Sequence, residues 1–332
     1  MVDTASKKVI LVTGATGKQG SATIDALIAG GALDTHTLVA VTRNPESGSA
    51  KRLVGRGVQL VQGDLNDIPA IFTSVTKALG GGDNAKIWGV FSVQTAIGGG
   101  ASPESEERQG KALVDAALAN GVEHFVYTSA DRGGEVRSFS NPTKVPHFIS
   151  KHNIEHHLVE KAAAAAAAAA TTSSSSIAAP TPMTWTILRP VAFMDNFTPG
   201  FGTKIMATGM RVALQGKPIQ LVGARDIGWF AAQAFLRPTA YAGRSVTLAG
   251  DEVTLADLRA VFQQKTGRDM PETFQFVAHI IFWLSAEFGS MFRWFHDEGF
   301  GADLSALRKE HPGLQSWGAW LESESDWVAK SK

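Results

Sequence analysis

Short apolar runs alternate with segments of helical pattern along the first 130 residues of the chain. The runs are almost continuously apolar, which is typical of strands covered on both faces. The segments between them repeat apolar residues at helical spacing. Strands that alternate with helices predict right-handed crossovers and a parallel sheet. We predict strands at residues 9–13, 37–42, 59–62, 87–93 and 124–129, and helices at residues 21–29, 68–79 and 108–119.

The second half of the chain continues less regularly. Nine alanines at residues 162–170 follow a predicted helix and precede a Ser/Thr run at residues 171–176. Alanine is the strongest helix former, so the alanines can extend that helix, whereas the Ser/Thr run is typical of a flexible linker. From Thr254 onward the pattern is helical. The other predicted elements are a helix at residues 145–161 and strands at residues 184–188, 219–221 and 245–248.

Composition narrows the class of protein. The chain has 332 residues, 31 Lys and Arg against 31 Asp and Glu, and no cysteine. At about 150 residues a domain, this length predicts two domains or one large one. Without cysteine there is no disulfide, iron–sulfur cluster, thiolate zinc site or cysteine nucleophile. The balanced charge argues against direct binding of nucleic acid. It also argues against a polybasic protein surface that binds membranes.

No segment has the pattern of a targeting or membrane-spanning sequence. The apolar run at residues 9–12 is too short for a signal-peptide core. The longest apolar stretch, residues 274–288, contains polar side chains and falls short of the roughly 20 residues that a spanning helix needs. We therefore expect a cytoplasmic protein, or a nuclear one if it acts as a regulator.

Three glycines spaced three apart follow the first predicted strand and open the first predicted helix. Gly14 allows a tight turn, Gly17 lets the backbone approach a pyrophosphate, and Gly20 allows close helix packing. The helix N-terminus offers N–H groups and partial positive charge to the phosphates. This context makes the triad a strong indication of dinucleotide binding. The cofactor-binding residues predicted in the turn are Gly14, Thr16, Gly17, Lys18, Gln19 and Gly20.

The end of the second strand distinguishes the two nicotinamide cofactors. A carboxylate there would bind the ribose 2′-hydroxyl of NAD, but Arg43 stands in that place and can make a bidentate contact with a 2′-phosphate. Lys51 and Arg52 are close enough in sequence to add positive charge. We therefore predict NADP(H), with NAD(H) as the alternative cofactor. A solvated Arg43 at the strand end is the other interpretation.

Two further loops follow strands three and four, at the edge where ligands bind parallel sheets. Asp64 and Leu65 follow strand three, and Asp64 can accept a hydrogen bond from the adenine amino group or, alternatively, cap a helix. Ser92, Val93 and Gln94 follow strand four and are predicted to run beside the ribose and nicotinamide.

These segments resemble the NmrA-like family, atypical members of the short-chain dehydrogenase/reductase superfamily. The resemblance implies an α/β fold: a Rossmann-type doubly wound parallel sheet with a smaller, mainly α-helical C-terminal domain. It divides the chain into a dinucleotide-binding domain at residues 1–160, an insertion at 161–182, and the last core strands with the second domain at 183–332. It also implies either an NADPH-dependent oxidoreductase or a dinucleotide sensor that regulates through a protein partner. Beyond the glycine turn, the similar segments are residues 63–65, 109–111, 121–129, 145–148, 189–190, 193–197, 311–313 and 320–321, together with Lys151.

The resemblance also suggests catalytic candidates. The superfamily uses a serine with a Tyr-x-x-x-Lys helical turn; Ser129 matches the serine and Lys151 the lysine, but His147 occupies the tyrosine position. Lys151 can bind the nicotinamide ribose, and His147 either supplies a proton or is a helix-surface histidine. Pro190 and Phe193, after the sixth strand, are the remaining predicted cofactor contacts, with Met194 and Phe197 placed to reach the nicotinamide end.

The expected partners are a nicotinamide dinucleotide and an apolar small molecule carrying a carbonyl, enone or quinone group, or else a regulatory protein. Nucleic acid and membrane are not expected. His152, His156 and His157 lie near one another, but we predict a solvated helix there and no metal site.

Overall fold

The computed structural model describes residues 7–81, 86–172 and 181–328, and most of the predicted Ser/Thr linker lies outside them. The chain divides into two compact units, each built from three segments. The first unit comprises Met1–Ser129, Asn153–Leu188 and Gly228–Val246. The second comprises Ala130–His152, Arg189–Ile227 and Thr247–Lys332. The predicted domain boundaries at residues 160 and 182 stay a prediction.

Seven strands form one sheet in the order β3-β2-β1-β4-β5-β6-β9. Neighbouring strands among the first six of this order pair in parallel. The order reverses between β1 and β4, which makes a topological switch point. The predicted α/β doubly wound sheet is confirmed. The strands are β1 (Lys8–Val12), β2 (His36–Thr42), β3 (Gln59–Gln62), β4 (Ile87–Ser92), β5 (His124–Thr128), β6 (Thr184–Pro190), β7 (Ala192–Phe193), β8 (Ile219–Val222), β9 (Arg244–Leu248) and β10 (Asp251–Val253).

The helices follow the predicted alternation, with additional short ones. In chain order they are α1 (Lys18–Ala29), α2 (Ala32–Thr35), α3 (Gly48–Val54), α4 (Ile68–Ala78), α5 (Pro103–Ala119), α6 (Glu135–Ser138), α7 (Pro146–Thr172), α8 (Phe201–Leu214), α9 (Ala224–Leu236), α10 (Pro238–Tyr241), α11 (Leu255–Thr266), α12 (Gln275–Leu284), α13 (Ala286–Asp297), α14 (Leu304–Glu310) and α15 (Trp317–Ser323).

The core of the first unit lies on the central strands. Leu11, Val90 and Phe125 belong to β1, β4 and β5 and have no exposed surface. Residues on both faces of these strands are buried, as their continuous apolar runs predict. This burial fixes the ends of the strands, where the loops that follow them are anchored.

Three helices extend beyond their predicted bounds: α1 begins at Lys18 rather than at residue 21, and two others extend for local reasons. The helix expected from residue 108 begins at Pro103, because Ser102 and Ser105 form a capping box that satisfies backbone N–H groups on both sides. The helix expected to end at residue 161 continues to Thr172, so the alanines extend it as their helix propensity predicts.

The second unit has a three-stranded sheet of its own, in the order β10-β8-β7. Strands β8 and β10 are antiparallel, and β7 pairs with β8 in parallel. Its core buries several of the C-terminal aromatic residues, including Phe292, Trp294 and Phe295, whereas Phe274, Phe276 and Trp283 are exposed. Among the described residues, no helix is long and apolar enough to cross a membrane.

Candidate functional site

A cleft of about 600 Å³ lies at the carboxyl ends of β1, β2, β3 and β4, at the switch point of the sheet. Its volume is within the range of small-molecule sites. Seven of the predicted cofactor-binding residues line it: Gly14, Thr16, Arg43, Asp64, Leu65, Val93 and Gln94. The others in this unit, Gly17, Lys18, Gln19, Gly20 and Ser92, belong to the same turns without lining the cleft.

The turn between β1 and α1 requires its glycines. Gly14 has a φ of 56°, and a Cβ on it would lie 2.6 Å from Val93 Cγ1. A Cβ on Gly20 would lie 2.2 Å from the carbonyl oxygen of Gly14, so the first turn of α1 can approach the preceding loop only with glycine there. The Gly17 N–H donates to that same oxygen at 2.9 Å. The turn is therefore tight because two glycines lack side chains.

The N-terminus of α1 has the features of an anion site. Its N-cap is Gly17, no side chain caps it, and its first turn contains no acidic residue. The partial positive charge of the helix end is therefore not neutralised by the described side chains of this turn. Lys18 is exposed at the first helical position. Gln19 is held in place because Thr128 Oγ1 donates to its Oε1 at 2.6 Å.

The turn after β2 presents a cation to the cleft. Thr42 and Asn44 fix its backbone: the Asn44 N–H donates to Thr42 Oγ1 at 3.2 Å, and the Glu46 N–H donates to Asn44 Oδ1 at 3.0 Å. Arg43 between them is exposed, and its guanidinium makes no hydrogen bond or ion pair with the described residues. Lys51 pairs with Glu46 at 2.8 Å and does not line the cleft.

The turn after β3 corrects one expectation. Asp64 does not cap a helix: the N-cap of α4 is Asp67, whose Oδ1 accepts the Ala70 N–H at 3.2 Å. Asp64 Oδ1 instead accepts from the backbone and side-chain N–H groups of Asn66 at 2.8 and 2.9 Å. The Asp64 carboxylate therefore stays at the rim of the cleft, where it can accept from a ligand.

The turn after β4 contains a buried acceptor on Gln94, a residue that lines the cleft. The Val93 N–H donates to Thr13 Oγ1 at 2.9 Å, which ties this turn to the end of β1. Gln94 Nε2 donates to Ser92 Oγ at 3.0 Å. Gln94 Oε1 is buried and has no hydrogen-bond partner among the described residues. An unpaired buried acceptor is costly, so a ligand donor at this point would stabilise the turn.

The catalytic candidates are distributed over both units. Ser129 directly follows β5 in the first unit and is 3% exposed. His147 and Lys151 lie in the first two turns of α7, in the part of that helix that belongs to the second unit. Lys151 is partly buried. The spacing of four residues puts His147 and Lys151 on one face of the helix.

His147 is not a solvated surface histidine. Its side chain is 13% exposed, and its Nδ1 contacts Oε1 of Glu287, whose side chain is 16% exposed. The ring of Phe148 lies edge-on to the imidazole, with 4.5 Å between the centroids. The partner comes from the first turn of α13, a helix that the sequence pattern predicts without assigning any role to Glu287.

The segment after β6 agrees only in part with expectation. Phe193 is partly buried in β7, in register with Val222 of β8. Met194 and Phe197 are completely buried in the core of the second unit, so the expectation that they reach the nicotinamide end is wrong. Pro190 ends β6.

Among the described residues, no three His, Asp or Glu side chains lie close enough together to hold a metal ion.

Sequence reasoning missed other residues that line the cleft. Asn66 Oδ1 accepts from Arg108 and Gln109, at 3.0 and 3.1 Å, and so joins the β3 turn to α5. The capping box at Ser102 is the signal that could have shown where α5 begins and hence that Gln109 reaches this rim. The missed residues include Asn44, Ser47, Ser49, Asn66, Ile97 and Gln109.

Comparison with known proteins finds a family model and a curated relative that agree on the family. The sequence model of the NmrA-like family matches residues 6–310. An NmrA-like family domain-containing oxidoreductase of Penicillium ochrochloron is 28% identical over 155 residues, which are 46% of this chain and 42% of that protein. The aligned region thus spans about two fifths of that curated relative.

Solved structures share the fold at low identity. The triphenylmethane reductase of Citrobacter sp., complexed with NADP(H), is similar with a TM-score of 0.64 at 18% identity, covering 94% of this chain and 98% of that one. The negative transcriptional regulator NmrA is similar with a TM-score of 0.67 at 18% identity, covering 96% and 95%.

Proposed function

Because the chain belongs to the NmrA-like family, we propose that it binds NADP(H) in the cleft at the switch point and acts as an NADPH-dependent oxidoreductase. The observation that carries the proposal is the glycine turn, in which Gly14 and Gly20 bring the uncapped N-terminus of α1 to the edge of the cleft. That arrangement suits a pyrophosphate, which needs backbone N–H donors and no neighbouring carboxylate.

The remaining walls of the cleft fit the other parts of the cofactor. Asp64 can accept from the adenine amino group, and the buried Gln94 Oε1 can accept from a donor on the ribose or the carboxamide. Among the described lining residues, Arg43 is the one cation, and it stands where a carboxylate would favour NAD. This charge supports NADP(H) over NAD(H), because a guanidinium binds the 2′-phosphate.

The catalytic roles follow from the superfamily pattern that this chain partly keeps. When bound, the reduced cofactor supplies the hydride. Lys151 would bind the nicotinamide ribose, with Pro190 and Phe193 as further cofactor contacts. Ser129 would hydrogen-bond the substrate oxygen, and His147 would supply the proton in place of the tyrosine. The similarity to the Penicillium NmrA-like family domain-containing oxidoreductase supports this assignment.

The proposed substrate is an apolar small molecule with a carbonyl, enone or quinone group. A purified chain should oxidise NADPH when such compounds are added, and absorbance at the dihydronicotinamide band measures it directly. A panel of quinones, enones and aldehydes covers the proposed class. Tight NADPH binding without oxidation by any member of the panel would contradict the reductase proposal.

A second candidate is a dinucleotide sensor that acts through a protein partner. The observation that favours it is His147 in the tyrosine position, which departs from the superfamily's catalytic set. The sensor would form a complex whose affinity depends on the dinucleotide, in the cytoplasm or the nucleus, whereas the reductase would act in the cytoplasm. Equal partner binding with NADP, with NAD and without either would contradict it.

A further inference from the structure

Glu287 and His147 form a largely buried pair within the second unit. The Nδ1 of His147 contacts Glu287 Oε1, although 140 residues separate them in sequence. Ser285 caps α13 by accepting the Phe288 N–H at 3.3 Å, which fixes the helix turn that carries Glu287. Phe148 packs edge-on against the imidazole. The ring of His147 is therefore held from two sides.

The chemistry of the two groups determines which nitrogen is held. An ionised carboxylate only accepts hydrogen bonds, so the His147 nitrogen that faces Glu287 must carry a proton. The other nitrogen, Nε2, makes no hydrogen bond to the described residues. The state of a histidine's free nitrogen is set by the bond that its other nitrogen makes. The contact with Glu287 therefore leaves Nε2 as the ring nitrogen without a hydrogen bond to the described residues.

We propose that Glu287 is a positioning residue, which accepts the Nδ1–H of His147 and so makes Nε2 the nitrogen that delivers a proton to the substrate. This inference rests on the proposed reductase function and deepens it. Glu287 is the titratable group in contact with His147 among the described residues, and Lys151 is the charged residue one turn further along α7.

The proton step balances in a simple way. The substrate carbonyl carbon gains a hydride, with its electron pair, from the reduced cofactor. The carbonyl oxygen gains the Nε2 proton of the doubly protonated imidazole as the C=O double bond becomes a C–O–H single bond. The Nε2–H bond breaks, and the neutral ring that remains keeps its Nδ1–H on Glu287 until water returns a proton.

The tautomer can be measured without substrate or cofactor. In ¹⁵N-histidine-labelled protein, long-range ¹H–¹⁵N correlation spectra should show the neutral form of His147 protonated on Nδ1. The variant Glu287→Ala should move that proton to Nε2, and His147→Asn assigns the signal by removing it. A wild-type His147 whose neutral form carries its proton on Nε2 would overturn the inference.

Kinetics test the same pair in the working protein. Glu287→Gln and His147→Asn should each lower kcat by about 100-fold, the lower end of what a positioned proton donor contributes. The double variant should lose no more than either single one, because residues that act as a unit are not additive. The pH profile of kcat should change in both single variants, while NADPH affinity stays at the wild-type value.

A matched control is available in the first unit. His157 Nε2 contacts Asp115 Oδ1 at 2.8 Å, a histidine–carboxylate pair on α7 and α5 with no role in the proposal. Asp115→Asn should keep the wild-type kcat and pH profile. An active wild type with unchanged kcat in Glu287→Gln overturns the role of Glu287 alone. A wild type that oxidises no NADPH with any substrate overturns the reductase proposal, and the role of Glu287 with it.

Discussion

At the scale of single residues, we propose that Arg43 sets the preference for NADP(H) over NAD(H). Its neighbours Thr42 and Asn44 hold the turn by hydrogen bonds of 3.2 and 3.3 Å, so the backbone under the guanidinium is ordered while the side chain itself makes no bond to the described residues. A guanidinium on a fixed turn suits a doubly charged 2′-phosphate. Its attraction to the uncharged ribose hydroxyl of NADH is much weaker.

Arg43→Ala should therefore weaken NADPH binding more than NADH binding. A charge-assisted hydrogen bond is worth about 1.5–3 kcal/mol, which corresponds to a loss of roughly tenfold or more in NADPH affinity. Fluorescence titration with each cofactor measures both affinities. Arg56→Ala is the control, because Arg56 pairs with Asp25 on the surface and does not line the cleft. Equal losses for NADPH and NADH in Arg43→Ala would show that the assignment to the 2′-phosphate is wrong.

At the scale of elements, both ends of the central strands have functional or titratable groups. The cleft lies at their carboxyl ends, and a cluster of two histidine rings and a tryptophan ring lies at their amino ends in the first unit. His36 begins β2 and His124 begins β5, and the ring of Trp88 lies 5.4 and 6.1 Å from theirs. Burial lowers the pKa of His124 to about 4. Burial, followed by the charge of Lys8, also lowers the pKa of His36.

This cluster predicts acid sensitivity. The unfolded chain takes up a proton on His124 below its ordinary pKa of 6.5, whereas the folded chain does so only near pH 4, so the free energy of unfolding falls as the pH falls through that window. Between pH 7 and pH 5 the loss from His124 is about 2 kcal/mol. Urea unfolding at the two pH values should show that His124→Gln removes this loss.

The matched control for this prediction is an exposed histidine. His279 on α12 is exposed, so His279→Gln should keep the wild-type dependence on pH. If His124→Gln and His279→Gln lose the same free energy of unfolding between pH 7 and pH 5, burial of His124 is not the cause.

At the scale of the whole molecule, the sequence predicted the strands and helices whose pattern recurs along the chain. It did not predict very short strands or single contacts between distant side chains. Apolar runs and helical spacing gave the parallel sheet, because burial on both faces leaves a pattern in every strand. The second sheet was not predicted as a sheet, since β7 has two residues and β10 three, too few for any pattern. Pairing of distant side chains leaves no sequence signal, so Glu287 was not found.

In the candidate site, too, some residues could be predicted from sequence and others could not. Gly14, Gly17 and Gly20 were identified from their spacing, and the backbone geometry requires glycine at Gly14 and Gly20. Asp64 was considered as a helix cap, but the cap of α4 is Asp67, three residues further along the chain, and only the backbone geometry distinguishes the two carboxylates. Local motifs can thus be predicted from sequence. Which of two similar neighbouring residues caps a helix depends on how the chain is folded.

One measurement tests the central claim most directly: titration of the wild-type chain with NADPH and, separately, with NADH. The cleft of about 600 Å³, the uncapped N-terminus of α1 and Arg43 predict saturable binding of one NADPH per chain, tighter than that of NADH. Absence of saturable binding by either cofactor, or tighter binding of NADH, would contradict the account.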